Sequence, residues 1–183
     1  MTGRRQLAIA VGAIAAVVAL LLAGKRILGN ELSTVGVGVE APDFSAVTLD
    51  SVPRAKSLRD YRGEVVMINI WATWCRPCRA EMPTIEQLHR TYGSKGLRVL
   101  AVSVDEPGAE SQIRDFVKEL GLTFQILYDS RGEISDRYQT EGYPETIIIG
   151  RDGIVRKKLM GATDWNSAEN RGLVARLLAD RAE

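Results

Sequence analysis

Val65-Val66-Met67-Ile68-Asn69-Ile70-Trp71-Ala72-Thr73-Trp74-Cys75-Arg76-Pro77-Cys78-Arg79-Ala80-Glu81-Met82-Pro83 is the stretch on which the reading of this 183-residue chain turns. It opens as a short, nearly continuous apolar run, the pattern of a strand buried on both faces. Helical spacing follows, with Met82, Ile85, Leu88 and Tyr92 recurring at three or four until Gly93. Between the two stand a pair of cysteines separated by two residues. On a starting helical turn that spacing brings both sulfurs close enough to form a disulfide. It also sets the first sulfur beside unpaired backbone N–H groups and the positive end of the helix dipole, which favour a thiolate. Cys75 is therefore the better nucleophile. It attacks a partner disulfide, and Cys78, one turn further in, resolves the mixed disulfide. Pro77 suits an early helical position, where its missing N–H costs nothing. Arg76 and Arg79 add positive charge nearby.

Composition narrows the alternatives. The chain is 45% hydrophobic and 26% charged, enough for one ordinary globular domain and an appendage. Its net charge of +1 argues against a nucleic-acid partner. Residues 1–26 carry four of the 24 basic residues and no acid, so the remainder has 20 basic residues against 23 acidic ones and is mildly acidic. Two cysteines are too few for a disulfide scaffold. With His89 as the only histidine they cannot close a four-ligand zinc site without carboxylates. No metal or other cofactor is expected, and the cysteines point to redox chemistry.

Outward from this stretch, the chain reads as three parts. Leu7 to Ala23 is an unbroken run of 17 apolar residues or glycine between Arg4-Arg5 and Lys25-Arg26. At about 1.5 Å per residue it comes close to the roughly 30 Å of a bilayer core if the flanking basic side chains snorkel. Residues 1–26 are thus expected to be one N-terminal transmembrane helix. A cleaved signal peptide is the rival, and Leu21-Leu22-Ala23 lacks its small-x-small site. Residues 27–40 read as a linker and 41–183 as the globular domain proper. There, Phe44 to Leu49 alternates like a short strand or hairpin. Leu97–Val104 and Phe124–Leu127 are further strands, and Asp105 and Pro107 mark the start of a helix whose apolar stripe is Ile113, Phe116, Val117 and Leu120. Glu133–Tyr138 is a short helix. Thr146–Ile149 and Ile154–Leu159 flank Arg151-Asp152-Gly153 as a hairpin, and Leu173, Val174, Leu177 and Leu178 stripe a last helix. The order implies an α/β fold with a central mixed sheet flanked by helices.

The active-site stretch, with Ala41-Pro42-Asp43-Phe44, Leu58 to Gly63, Val102 to Asp105 and Gly142-Tyr143-Pro144-Glu145-Thr146 in order, resembles thioredoxin-fold proteins of the bacterial extracytoplasmic branch. That branch includes the TlpA-like and ResA-like oxidoreductases and the DsbE/CcmG proteins of cytochrome c maturation. The resemblance covers most of residues 36–160, and 109–127 is similar to the insert of that branch. It implies a thioredoxin-like fold, protein substrates bearing disulfides or thiols (apocytochrome c among them), a membrane electron donor, and a catalytic domain on the periplasmic or other extracytoplasmic side of the cytoplasmic membrane. It implies that Pro144 is a cis-proline opposite the cysteines and that Pro83 kinks the active-site helix. It makes Glu81 a candidate proton carrier, with a solvated helix residue as the alternative. Glu145 resembles the acidic groups of the cytochrome-maturation members. Trp74, Pro77, Tyr143, Pro144 and Glu145 make the expected substrate-binding set. Thioredoxins proper carry an aspartate at the position of Asn69, whose amide cannot take up a proton. This leaves Glu81 or water for that task.

Trp71 reads as core and Trp74 as a shield and substrate contact. His89 reads as an exposed helix residue, and the segment after Gly161, with Trp165, as a packing helix or a partner surface. Two other functions compete with the oxidoreductase. A peroxiredoxin-like peroxidase needs a Thr-x-x-Cys pattern, and Thr73-Trp74-Cys75 is one residue short. A copper-handling chaperone of this fold pairs a wider cysteine spacing with a distant histidine.

Overall fold

Strand β3 (Val65–Trp71) is buried at all seven positions, because it lies in the middle of a sheet covered on both faces. It pairs in parallel with β4 (Leu97–Ser103) and antiparallel with β6 (Glu145–Ile149). The sheet is completed by β1 (Ser45–Thr48), β2 (Ala55–Ser57), β5 (Gln125–Tyr128) and β7 (Val155–Met160), in the order β2-β1-β5-β4-β3-β6-β7. Only the β3–β4 and β4–β5 pairs are parallel, so the sheet is mixed, as the alternation of elements implies. The computed structural model describes residues 35–180, with Gly3, 11–14 and 16–20 before them.

Alternation along the strands divides the core in two. Val65, Met67, Trp71, Val99 and Ala101 face helices α1 (Arg76–Tyr92), α2 (Glu110–Glu119) and α4 (Ala168–Ala179). Val66, Ile68, Ile70, Leu100 and Val102 face Phe44, Tyr61 and Tyr138, together with Ile134 of the short helix α3 (Glu133–Arg137). In β1, Ala46 and Thr48 are buried while Ser45 and Val47 are exposed, which is the alternation read from the sequence. The Gly150–Ile154 turn joins β6 to β7 with Gly153 at φ +82°, a conformation that favours glycine.

Three readings change. Helix α2 begins at Glu110 with Ala109 at its N-cap, so Asp105 and Pro107 precede it rather than start it. Strand β2 has no apolar signal and was not anticipated. Residues 35–40, read as the end of a linker, belong to the compact unit Val35–Glu183. Val35 is buried, and Glu40 bridges to Ile154. The apolar run at 7–23 lies largely outside the described residues. Its described positions, 11–14 and 16–20, are helical. Among the described residues no helix is long and apolar enough to cross a membrane.

Ile68 is wholly buried at the centre of β3. Ile68→Ala is expected to destabilise the domain by about 2–5 kcal/mol, through lost transfer energy and the cavity left behind. Urea unfolding checks this as a lower midpoint at unchanged slope. A loss well under 1 kcal/mol would show that the two-sided core does not depend on this strand.

Candidate active site

The loop from Ala72 to Cys75 carries the chain from β3 into α1, and Asp105 holds it in place. The buried Asp105 carboxylate accepts from Thr73 N at 3.0 and 3.1 Å, from Thr73 Oγ1 at 2.6 Å and from Ser103 Oγ at 2.7 Å. The residue read as a helix start is thus a clasp between the ends of β3 and β4.

Cys75 is the N-cap of α1, and its sulfur accepts from Cys78 N at 3.2 Å, so an orphan donor of the first turn points at the sulfur. The two cysteines form a disulfide with Cα atoms 5.2 Å apart. Cys75 is 5% exposed and Cys78 not at all, so the sulfur read as nucleophile is the more accessible one. Pro77 sits in the first turn, exposed, as expected. Arg79 does not simply lend charge to the sulfurs. Its guanidinium lies 2.6 Å from Glu119 and 4.5 Å from the centre of the Phe116 ring.

Because β6 runs antiparallel to β3, the residues entering β6 lie at the same end of the sheet as those leaving β3. The Tyr143–Pro144 bond there is cis. The Tyr143 ring packs edge-on to Trp74 at 5.9 Å between centroids, and its hydroxyl lies 3.2 Å from Ser135 Oγ of α3. Trp74 is 65% exposed and is thus available to a partner rather than committed to the core. Met160 at the end of β7, also exposed, lies beside Gly142, where a Cβ would meet its sulfur at 3.4 Å. Nothing in the sequence singled Met160 out, since it reads as the last residue of a strand.

Glu81 is not a solvated helix residue: it is 2% exposed. One carboxyl oxygen accepts from Asn69 Nδ2 at 2.7 Å. The other accepts from Trp165 Nε1 at 3.2 Å and Thr163 N at 3.3 Å. Burial pushes its pKa above the ordinary glutamate range, and these three donors oppose the shift. Trp165 was read as part of a packing helix or partner surface. It instead precedes α4, is fully buried, and reaches the heart of the α1 face. The sequence held no signal for this contact across 84 positions.

Glu145 is buried as well, and its pKa is raised by burial, with Lys158 at 3.7 Å pulling the other way. Thr146 contacts Asn69 on the α1 face, so the neighbouring Glu145 faces the opposite side of the sheet. The structure therefore does not gather the two carboxylates into one site. His89, read as exposed, is half-buried edge-on to Phe124 at 6.0 Å, and burial pushes its pKa down. Among the described residues no three His, Cys, Asp or Glu side chains gather as a metal set. A groove of about 280 Å³ between α2 and β5 is lined by Leu49, Ile113, Val117 and Ile126, and by none of these site residues.

Comparison with known proteins agrees with this geometry. The model of the AhpC/TSA family matches residues 37–158. The chain is 40% identical over 147 residues to the thiol-disulfide oxidoreductase ResA of Geobacillus thermodenitrificans, covering 78% of this chain and 82% of the relative. It is 39% identical over 135 residues to the thioredoxin-like protein YneN of Bacillus subtilis, covering 73% of this chain and 77% of the relative. Among solved structures, a putative thiol:disulfide interchange protein DsbE from Chlorobium tepidum superposes with a TM-score of 0.71 at 27% identity, covering 79% of this chain and 99% of that one.

The raised pKa of Glu81 has a consequence for stability. A carboxyl whose pKa is higher folded than unfolded binds its proton more tightly in the native state. Its contribution is then most favourable at low pH and is lost as pH climbs through the folded value. Stability relative to Glu81→Gln is therefore expected to shift against the wild type as pH rises past about 4.3, the ordinary glutamate value. Denaturant titrations of both proteins from pH 4 to 8 check this. A pH-independent difference would mean that Glu81 ionises as freely folded as unfolded.

Proposed function

This chain belongs to the AhpC/TSA family and is a thioredoxin-like thiol–disulfide oxidoreductase, and on that footing we propose that it reduces or exchanges disulfides of extracytoplasmic proteins through Cys75 and Cys78. The observation that carries the proposal is the Cys75–Cys78 disulfide at the start of α1, with Cys75 at the N-cap and receiving the Cys78 N–H.

In the reduced protein the Cys75 thiolate attacks one sulfur of a substrate disulfide. The substrate S–S bond breaks, a Cys75–substrate disulfide forms, and the other substrate sulfur leaves as a thiolate that takes a proton from water. The Cys78 thiol then gives its proton to the Glu81 carboxylate, one helical turn along, and attacks the Cys75 sulfur. The mixed disulfide breaks, the second substrate thiolate leaves, and the Cys75–Cys78 disulfide is restored. Two electrons have passed to the substrate, and a membrane electron donor returns the protein to its dithiol. Trp74, Tyr143 and Pro144 form the rim on which the substrate chain rests, with Pro77 at its edge, and Glu145 supports the rim from below the sheet surface.

The resemblance of the segments around the site to cytochrome-maturation proteins supports apocytochrome c cysteines as a substrate. The apolar run at 7–23 between basic pairs supports a single-pass anchor that leaves the domain on the oxidising side of the cytoplasmic membrane. Membranes from cells expressing the full chain are expected to retain it through an alkaline wash. Its release into the supernatant would count against the anchor.

Trapping tests the chemistry. Cys78→Ser is expected to accumulate mixed disulfides through Cys75, visible as reducible high-mass adducts, whereas Cys75→Ser should yield at least tenfold fewer. Equal yields from the two variants would reverse or abolish the assignment of nucleophile.

A further inference from the structure

The Asn69 side chain stands between Glu81 and Thr146 with one end paired and the other not. Its Nδ2 donates to Glu81 at 2.7 Å and to Thr146 Oγ1 at 2.9 Å. Its Oδ1 is buried and has no partner among the described residues. Asn69 itself is wholly buried on β3. The other partners of the Glu81 carboxyl are an indole N–H and a backbone N–H, and neither can ever accept a proton. These contacts suit an ionised carboxylate only. A protonated Glu81 would hold an O–H with nowhere to point, which a buried group tolerates poorly.

An amide is the one side chain here that can answer both needs. We propose that Asn69 is a positioning residue serving Glu81 in both protonation states: its N–H₂ holds the carboxylate, and when Glu81 takes up a proton the amide turns over so that Oδ1 receives the new O–H. Thr146 permits the turn, since its hydroxyl accepts from Nδ2 in one state and donates to Oδ1 in the other. One end of the amide is unpaired before the turn and the other end after it. The inference rests on the reading of Glu81 as proton carrier and adds the element that lets it carry. It also gives a role to the position where thioredoxins proper hold an aspartate.

The charged and titratable groups on the surrounding elements do not supply the missing acceptor. On α1, Cys78 is one turn away. On β7, Lys157 bonds Asn170 at 2.9 Å and lies 5.4 Å from the Trp165 ring. In the loop, Asp164 accepts from Asn166 N. On β6, Glu145 faces the other side of the sheet. None of these is bonded to the Glu81 carboxyl.

The test uses the full chain and three variants, Asn69→Leu, Trp165→Phe and Glu81→Gln. The C=O stretch of protonated Glu81 is followed by infrared spectroscopy over pH and assigned by its absence in Glu81→Gln. The pH profile of disulfide exchange is measured in parallel. Asn69→Leu is expected to raise the Glu81 midpoint by roughly one pH unit, since a hydrogen bond to a charged acceptor is worth more than one to a neutral acid. It is also expected to move the acid band to the frequency of a carboxyl without a hydrogen-bonded O–H. Trp165→Phe removes a donor only, so it should raise the midpoint and leave the band in place. An unmoved band in Asn69→Leu overturns the proposal, whether or not the midpoint shifts. Should Asn69→Leu fail to fold, Asn69→Ser, too short to span the same gap, carries the same expectation. A pH profile unchanged in Glu81→Gln sinks the proton-carrier reading itself. A profile flattened by Glu81→Gln with an unmoved band in Asn69→Leu sinks the Asn69 role alone.

Discussion

Strand β3 is held on every side, and the placement of the cysteines at its end depends on that. It is hydrogen-bonded on both edges and covered on both faces, so its last residue delivers the chain to a fixed point from which α1 must start. Asp105, at the matching end of the parallel neighbour β4, then fixes the turn by taking both the amide and the hydroxyl of Thr73. A sulfur at an N-cap is useful only if the cap stays put, because the effect of the helix end fades within a turn. The two ladders of β3, one parallel and one antiparallel, and one buried carboxylate supply that constraint. The antiparallel β6 adds the opposite wall, since its entry must face the exit of β3.

Two buried glutamates on α1 show how local partners decide a carboxyl's behaviour. Glu86 accepts from Thr123 N at 2.8 Å and Thr123 Oγ1 at 2.7 Å, and pairs with Arg90 at 2.7 Å. Burial acts to raise its pKa, yet these bonds and the cation hold it below the ordinary range. Glu81 has as many donors but no cation, and burial wins. Glu86 thereby favours its charged form and ties α1 to the segment before β5. Glu81 is left able to change its charge. Burying a carboxyl with no cation beside it costs stability that an apolar residue would not, and three hydrogen-bond donors offset part of that cost at Glu81.

The sequence reveals the framework because the framework is local. Apolar runs, helical periodicity and a turn around Asp152-Gly153 each depend on neighbours within a few positions, and β3, β4, α1 and the β6–β7 hairpin all stand where that periodicity places them. The cysteine pair is legible for the same reason. The reading fails where a side chain reaches across the fold. Asp105 looks like a helix start because acids favour helix starts, but its partner is Thr73, 32 positions away. Strand β2 pairs only with β1, and its three residues carry no apolar pattern to betray it. Trp165 looks like surface or packing helix until the loop that holds it is seen to close over Glu81.

That loop ties the segment after β7 to the helix that carries the cysteines. A proline within a helix removes one backbone donor and crowds the preceding turn, and Pro83 does so in the middle of α1. The neighbouring Thr84 hydroxyl donates to the Glu81 carbonyl at 2.8 Å and accepts from Trp165 N at 3.0 Å, so the loop docks by its backbone one residue past the proline. From that anchor the indole extends to the Glu81 carboxyl on the same helix. Trp165 is held at both its amide and its ring, and Ser167 then caps α4 behind it. The helix that presents the cysteines, the turn around its proline and the closing loop therefore form one continuous hydrogen-bonded path. Along that path the C-terminal segment covers the Glu81 carboxyl and keeps it buried.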